Sequence, residues 1–173
     1  MPDAPIPLPI QVRDLPAMRA ACMSYQGPAS GLGVPFEELQ RFVVSAGIGP
    51  AGPLMAAYRM STGEALGDRK GNSELIDALL LVPVTRLTAE PPKDIEMRRF
   101  ASLRAACLVY SGPMDSNFLQ HHQHLFAWMD ANALPRAGDD HQHAYLAQDK
   151  ATGHWTIEIR ATILATDAAA AGA

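Results

Sequence analysis

The chain has 173 residues, of which 48% are hydrophobic, and a formal net charge of −4. This length fits one compact domain or two closely packed halves, and the apolar content argues against a disordered chain. The mild negative charge offers no basic surface for nucleic acid, no apolar run approaches the ~20 residues of a membrane span, and no signal-peptide pattern begins the chain. We therefore expect a cytoplasmic protein that binds neither DNA nor membranes directly.

The first half of the chain predicts the order strand, helix, strand, strand. Residues 1–9 are rich in proline and predict a flexible segment, so regular structure is expected from about Ile10. Residues 17–26 favour a strand that Gly27-Pro28 ends, and Pro35 fits the first turn of a helix that Gly47 closes. Two further strands are predicted over 54–60 and 74–84, with a polar hairpin or loop between them.

The second half repeats this order after a polar connector over residues 85–98. A strand is predicted over 103–110, followed by a helix that Asp115 or Ser116 caps and that runs to about Ala133. Strands over 141–148 and 154–164 then form a hairpin, and the last strand alternates apolar and polar residues from Trp155 onward. Residues 165–173 are of low complexity and predict a disordered tail.

An internal duplication underlies this order. Met18–Pro28 returns 85 residues later as Leu103–Pro113, with the Arg, both Ala, the Cys, the Tyr, the Gly and the Pro in register. Each copy is too small to form a good core alone, so the two are expected to pack on each other and leave a seam where a pocket forms. Cys22 and Cys107 occupy equivalent positions and are predicted to be buried thiols.

Glu158 is the leading candidate site residue. It lies mid-strand between two isoleucines, where a carboxylate is costly unless it meets water or a partner. In one interpretation Glu158 and Arg160 are neighbours on the solvated face of an edge strand. In the other, Glu158 lies at the base of a groove and attracts a lipophilic cation, with help from aromatic walls.

Tyrosines are the natural candidates for those walls. Tyr25 and Tyr110 are related by the repeat, and Tyr58 and Tyr145 are related in the same way at a separation of 87 residues. Single tyrosines in strands are commonly half-buried core residues, whereas related pairs at one seam favour a binding site. The two tryptophans are predicted to belong to the core.

The histidines admit a metal site as an alternative. His121, His122 and His124 share a helix, and His141 and His143 share one face of a strand. Zinc sites use such spacings, but no carboxylate or cysteine signature accompanies these residues. Surface histidines are the favoured interpretation, and we predict no metal and no cofactor. The chain has no phosphate-binding loop and no nucleophile elbow, so no catalytic residue is assigned.

Three features together resemble the gyrase-inhibitor-like effector-binding domains, which also occur in AraC-type and MerR-type multidrug regulators. They are the Tyr-X-Gly-Pro end of the first strand in each half, the segment Leu79-Leu-Leu-Val-Pro-Val84 and the segment Thr156-Ile-Glu158-Ile. The resemblance spans residues 10–164 as one domain, with repeats over 10–84 and 99–164. It implies an α+β fold, in which two pseudo-symmetric β-α-β-β modules form one curved antiparallel sheet with the helices packed against it.

The resemblance also implies a ligand in the central cleft, with Glu158 as the cation-binding carboxylate and Tyr145 as its aromatic neighbour. Tyr58 and Tyr110 follow by symmetry. Arg160 departs from the family pattern, and an Arg160–Glu158 pair would favour an anionic or zwitterionic ligand. The expected function is a stand-alone binder of hydrophobic, cationic small molecules. Two alternatives remain: a hydrolase of electrophilic toxins, with Glu158 as general base and Tyr145 as donor, and an inhibitor that binds a protein partner.

Overall fold

The computed structural model describes residues 8–59, 75–88, 90–114 and 118–165. Its elements in chain order are β1 (Ile10–Leu15), β2 (Met18–Pro28), α1 (Gly33–Ser45), β3 (Leu54–Arg59), β4 (Leu75–Pro83), β5 (Glu96–Phe100), β6 (Leu103–Gly112), α2 (Phe118–Ala131), β7 (Arg136–Asp149) and β8 (His154–Ile163). The predicted loop before residue 74, the caps Asp115 and Ser116, most of the N-terminal segment and the tail from 166 lie outside the described residues. Neither described helix has the length and apolar character needed to cross a membrane.

The described strands form one eight-stranded antiparallel sheet in the order β1-β6-β8-β7-β3-β4-β2-β5. Helix α1 packs on β2 and β4, and helix α2 packs on β6 and β8. Both helices cover the same face, since Tyr145 packs into the core beneath each of them. The α+β architecture that the sequence predicts, a single sheet with two helices against it, is confirmed.

Two strands that the sequence did not predict connect the halves. Strand β5 occupies the end of the segment expected to be a polar connector, and β1 begins at Ile10. Strand β1 precedes β2 in the first half but pairs with β6 of the second half. Strand β5 precedes β6 in the second half but pairs with β2 of the first half. The registers match, because Leu15 lies opposite Leu103 and Phe100 lies opposite Met18. Each half therefore completes the sheet of the other.

A pseudo-two-fold axis passes through the middle of the sheet, between β3 and β7. Tyr58 pairs with Ala78 in the first half as Tyr145 pairs with Ile157 in the second. The residue two positions before each tyrosine is Ala56 in one half and His143 in the other, and these two pair with each other across the axis. The β3–β7 ladder is thus the seam that the duplication predicts.

The helices repeat the same packing pattern with one exchange of residue type. Helix α1 buries Phe36, Leu39 and Val43 against the sheet. Helix α2 buries His122, Leu125 and Met129, which have the same spacing. His122 therefore takes the place that Phe36 has in the first half. Both cysteines are buried free thiols, as predicted.

Candidate functional site

Glu158 lies on the sheet face that the helices leave uncovered. Its strand neighbours Ile157 and Ile159 pack beneath α2, so Glu158 points the opposite way. Strand β8 lies inside the sheet, between β6 and β7, and Glu158 is only 4% exposed. The interpretation that made this face the solvated side of an edge strand is therefore wrong.

Two guanidinium groups hold the Glu158 carboxylate. Arg13, on the exchanged strand β1, donates from Nη2 to Oε2, and Arg160 donates from Nε to Oε1 at 2.5 Å. Arg160 also directs Nη1 toward the Met55 sulfur at 3.8 Å. The pairing that the sequence left open is formed, and a second arginine joins it. The two guanidinium groups outweigh the single carboxylate in charge. Glu158 therefore already has cationic partners when no ligand is bound.

Tyr58 and Tyr145 lie on the other face of the sheet, beneath the helices. Tyr145 pairs with Ile157 in the β7–β8 ladder, so its side chain leaves the sheet on the opposite side from Glu158. The two tyrosines meet across the pseudo-two-fold axis, with their hydroxyl oxygens 2.8 Å apart. Burial raises the pKa of both hydroxyls, most strongly at Tyr58.

The expectation that Glu158 and Tyr145 line one cleft is corrected by this register. Paired residues on adjacent strands point to the same face, and the sequence does not specify which residues pair. The acid–base pair that a hydrolase would need from these two residues is consequently not assembled. Glu158 and Arg160 are brought together, and Tyr58 and Tyr145 are brought together, on opposite faces.

Tyr110 has a structural contact at the end of β6. Its hydroxyl donates to the Pro113 carbonyl at 2.5 Å, and Tyr25 makes the equivalent bond to Pro28 at 2.7 Å. A Cβ atom on Gly112 would lie 2.5 Å from the Tyr110 hydroxyl oxygen, and one on Gly27 would lie 2.6 Å from that of Tyr25. The repeated Tyr-X-Gly-Pro sequence is therefore a corner in which the tyrosine requires the glycine.

A cavity of about 220 Å³ opens at the end of the β3–β7 ladder, and we call it the seam cavity. Tyr58 and His141 form the last pair of that ladder, and both line the cavity. Beyond them, β7 shifts register against β8 between Arg136 and His141, which interrupts the sheet. The remaining walls come from both halves and include Ala57, Arg59, Asp140, Gln142 and Thr162.

A second, larger cavity of about 500 Å³ lies at the edge of the first half. It is bounded by Met18, Arg19, Arg99 and Phe100, near the start of β2 and the end of β5. Arg19 donates to the Thr85 carbonyl at 3.1 Å, so one of its two arginines is engaged within the fold. Its walls also come from both halves, because Arg99 and Phe100 belong to β5, which pairs with β2 of the first half.

Three histidines form a buried cluster beside Tyr58. His122, His141 and His143 are 2%, 7% and 5% exposed, so the expectation of surface histidines is wrong for these three. His122 Nε2 and His143 Nε2 lie 2.6 Å apart. Burial lowers the pKa of His143 well below its usual value, and repulsion from His141 and His122 lowers it further. The alternation of His141 and His143 was the available signal, but only the structure shows that α2 covers their face.

No protein-family model matches the chain, and no curated protein matches it. The C-terminal domain of EcmrR is similar in structure, with a TM-score of 0.74 and 14% identity over 93% of this chain and 100% of that domain. A hydrolase encoded by lin2189 from Listeria innocua has a TM-score of 0.63 and 12% identity over 90% of this chain and 91% of that one. SAV2435 bound to tetraphenylphosphonium has a TM-score of 0.57 and 10% identity over 91% and 94%. The chain thus has the gyrase-inhibitor-like fold that its sequence resembles.

Proposed function

We propose that this chain is a small-molecule-binding domain and that its ligand occupies the seam cavity. The observation that carries the proposal is the position of this cavity, where the two halves meet and the sheet is interrupted. Seams between packed units are common sites of ligand pockets. A protein with the same fold, SAV2435, has been solved bound to tetraphenylphosphonium, a hydrophobic cation, which is consistent with this use of the fold.

The size of the cavity limits the ligand. A volume of about 220 Å³ exceeds the ~150 Å³ of a cavity that holds benzene and falls below the ~300–1,000 Å³ of drug-sized sites. We therefore propose a compound with one or two aromatic rings. A four-ring compound of the tetraphenylphosphonium type would require the walls to move.

The walls suggest how such a compound is held. Ala57 and Gln142 lie on the same sheet face as Glu158, so the cavity opens largely on the uncovered face, and Ala57 and Leu79 supply its apolar surface. Gln142 offers polar contacts, and the charged walls are Asp140 and Arg59. A cationic ligand would gain from contact with the Asp140 carboxylate. The finer proposal is thus a small aromatic cation bound beside Asp140.

Titration of the full chain with three matched one-ring probes tests this proposal. Benzyltrimethylammonium, benzoate and benzyl alcohol differ mainly in charge, and their binding is measured by calorimetry. We expect the cation to bind best, with a Kd on the order of 0.1–1 mM for a ligand of this size. Absence of saturable binding for all three probes would contradict the proposal.

Two matched pairs of variants locate the site. Ala57→Leu fills the seam cavity and is expected to abolish binding, whereas Ala147→Leu places the same side chain at an exposed position of β7 and is expected to preserve it. Asp140→Asn is expected to weaken binding of the cation about tenfold and to leave the affinity for benzyl alcohol unchanged. Glu158→Gln is expected to leave both affinities unchanged. Loss of binding with Glu158→Gln, and not with Ala57→Leu, would place the ligand at Glu158 instead of in the seam cavity.

A further inference from the structure

The histidine cluster is a feature of the second half alone. His141 and His143 correspond to Leu54 and Ala56 under the pseudo-symmetry of the β3–β7 ladder. His122 corresponds to Phe36 in the matching pattern of the two helices. The first half packs well with three apolar side chains at these positions, so the fold itself does not need the imidazoles. Burying three of them is costly without a compensating interaction.

The three imidazoles converge on one point. Their potential ligand atoms all lie within 4.8 Å of one another, and the closest pair is 2.6 Å apart. Nitrogens that bind one tetrahedral zinc ion at about 2.0–2.1 Å are separated by about 3.3–3.4 Å. The observed spacings lie on both sides of that value, so small side-chain rotations would bring all three nitrogens to it.

The hydrogen bonds of the cluster leave one ring nitrogen, Nδ1 of His143, without a partner among the described residues. His122 Nδ1 lies 3.3 Å from the Phe118 carbonyl, which only accepts, so this bond requires the proton on Nδ1 and leaves a lone pair on Nε2. His143 Nε2 must then donate across the 2.6 Å contact. His143 Nδ1 is thereby left with a buried lone pair and no hydrogen-bond partner among the described residues. The bond between the two rings uses the lone pair of His122 Nε2, so an ion held by all three imidazoles must replace this bond and take a lone pair from each ring.

The surroundings favour metal ligation over protonation. The ring centroid of Phe118 lies 4.9 Å from that of His122 and 5.2 Å from that of His143, and the ring centroid of Phe126 lies 6.2 Å from that of His141. Aromatic rings therefore surround much of the cluster. Such apolar surroundings favour the neutral imidazole, which is the form that binds a metal. The bond from His122 Nδ1 to the Phe118 carbonyl is a typical support for a ligating histidine.

We propose that His122, His141 and His143 form a three-histidine site for a divalent transition metal, with zinc as the best match. Imidazole ligands select zinc, copper and nickel over magnesium and calcium, and zinc accepts three histidines in a tetrahedral site. Three neutral ligands leave the full charge of the ion in place and one coordination position open. That position takes water or an anion. His141 lies at the end of the β3–β7 ladder, so the site would lie next to the seam cavity.

Calorimetric titration of the chelator-treated full chain with zinc tests the proposal, and cobalt(II) serves as a spectroscopic probe of tetrahedral nitrogen ligation. We expect one equivalent of zinc per chain, a visible cobalt absorption band and a rise in Tm on metal addition. Removing one histidine is expected to lower the affinity for zinc by more than roughly 10–100-fold, which is the loss when only a hydrogen-bond partner of a metal ligand is removed. A wild-type chain that binds less than one equivalent would overturn the site.

The duplication supplies the test variant. The triple substitution His122→Phe, His141→Leu and His143→Ala installs the residues of the first half, and the single substitution His143→Ala is the milder second variant. Circular dichroism without metal checks that both fold. His154→Ala removes an exposed histidine outside the cluster and is expected to bind zinc as the wild type does. Retention of stoichiometric zinc binding by either folded cluster variant would refute the proposal.

Discussion

The hydroxyl groups of Tyr58 and Tyr145 meet 2.8 Å apart, so equivalent residues of the two halves hold each other at the pseudo-two-fold axis. This contact joins neighbouring central strands that come from different halves of the chain. It is therefore a polar connection across the seam, within a core that is otherwise mostly apolar on this face. Its energetic role can be measured directly.

Tyr58→Phe removes one hydroxyl and leaves that of Tyr145 without its partner across the axis. We expect a loss of about 1–3 kcal/mol in the free energy of unfolding, because an unpaired buried hydroxyl retains its desolvation cost. The double substitution with Tyr145→Phe should lose less than the sum of the single losses. Urea unfolding of the four proteins of this double-mutant cycle measures the coupling, and additive losses would show that the contact contributes nothing.

Glu158→Gln leaves Arg13 and Arg160 facing each other without their carboxylate. The two arginine side chains are 42% and 17% exposed, so we expect a loss of about 1–3 kcal/mol, below the ~3–5 kcal/mol of a fully buried pair. Glu96→Gln is the matched control, since Glu96 pairs with Arg98 at 62% exposure and should cost about 1 kcal/mol or less. Equal losses in the two variants would contradict the importance of burial at Glu158.

The Tyr-X-Gly-Pro corner predicts a specific intolerance to alanine. Gly112→Ala places a methyl group against the Tyr110 hydroxyl, which breaks its bond to the Pro113 carbonyl, and we expect a loss of about 1–3 kcal/mol. Gly33→Ala is the control, because nothing lies within 4 Å of a Cβ atom there. Thermal unfolding distinguishes the two, and an unchanged Tm for Gly112→Ala would show that the corner is adaptable.

Cys22 predicts a loss of stability in alkaline solution. Burial raises its pKa from 9.0 to about 12, so the unfolded chain releases this proton at a lower pH than the folded one. The stabilisation is complete below about pH 9 and declines, by at most about 1.4 kcal/mol per pH unit, as the pH rises toward 12. Burial raises the pKa of Cys107 in the same direction.

Urea unfolding at pH 8 and pH 10 measures this effect. The wild type should lose more stability between these values than Cys22→Ala, and the variant lacking both cysteines should lose least. A thiol reagent at pH 8 should label neither cysteine until urea is added, because both thiols are buried and protonated. Rapid labelling of the folded chain would contradict the burial.

The duplication made much of the fold predictable from the sequence. The Tyr-X-Gly-Pro corner constrains its backbone in both halves, so its residues recur and mark equivalent strands. The alternation from Trp155 to Ile163 correctly separated the helix-facing side of β8 from the Glu158 side. These signals are local, and local geometry enforces them.

The candidate site was less predictable, because it depends on how distant strands pair. The register between β7 and β8 places Tyr145 and Glu158 on opposite faces, and no residue in either strand predicts this register from the sequence. Strands β1 and β5 are short and carry charged residues such as Arg13 and Arg98, so their patterns do not stand out from a connector. The burial of His143 likewise depends on α2 covering its face of the sheet.

The exchange of β1 and β5 has a consequence for synthesis on the ribosome. Ile10 pairs with Leu108, so β1 leaves the exit tunnel without a partner until β6 has followed it, almost a hundred residues later. Until then the unpaired edge of β1 is a template for unwanted pairing. Its adjacent Arg13 and Asp14 are the kind of charges that discourage such contacts. Strand β1 must therefore stay soluble on the ribosome until β6 has been synthesised.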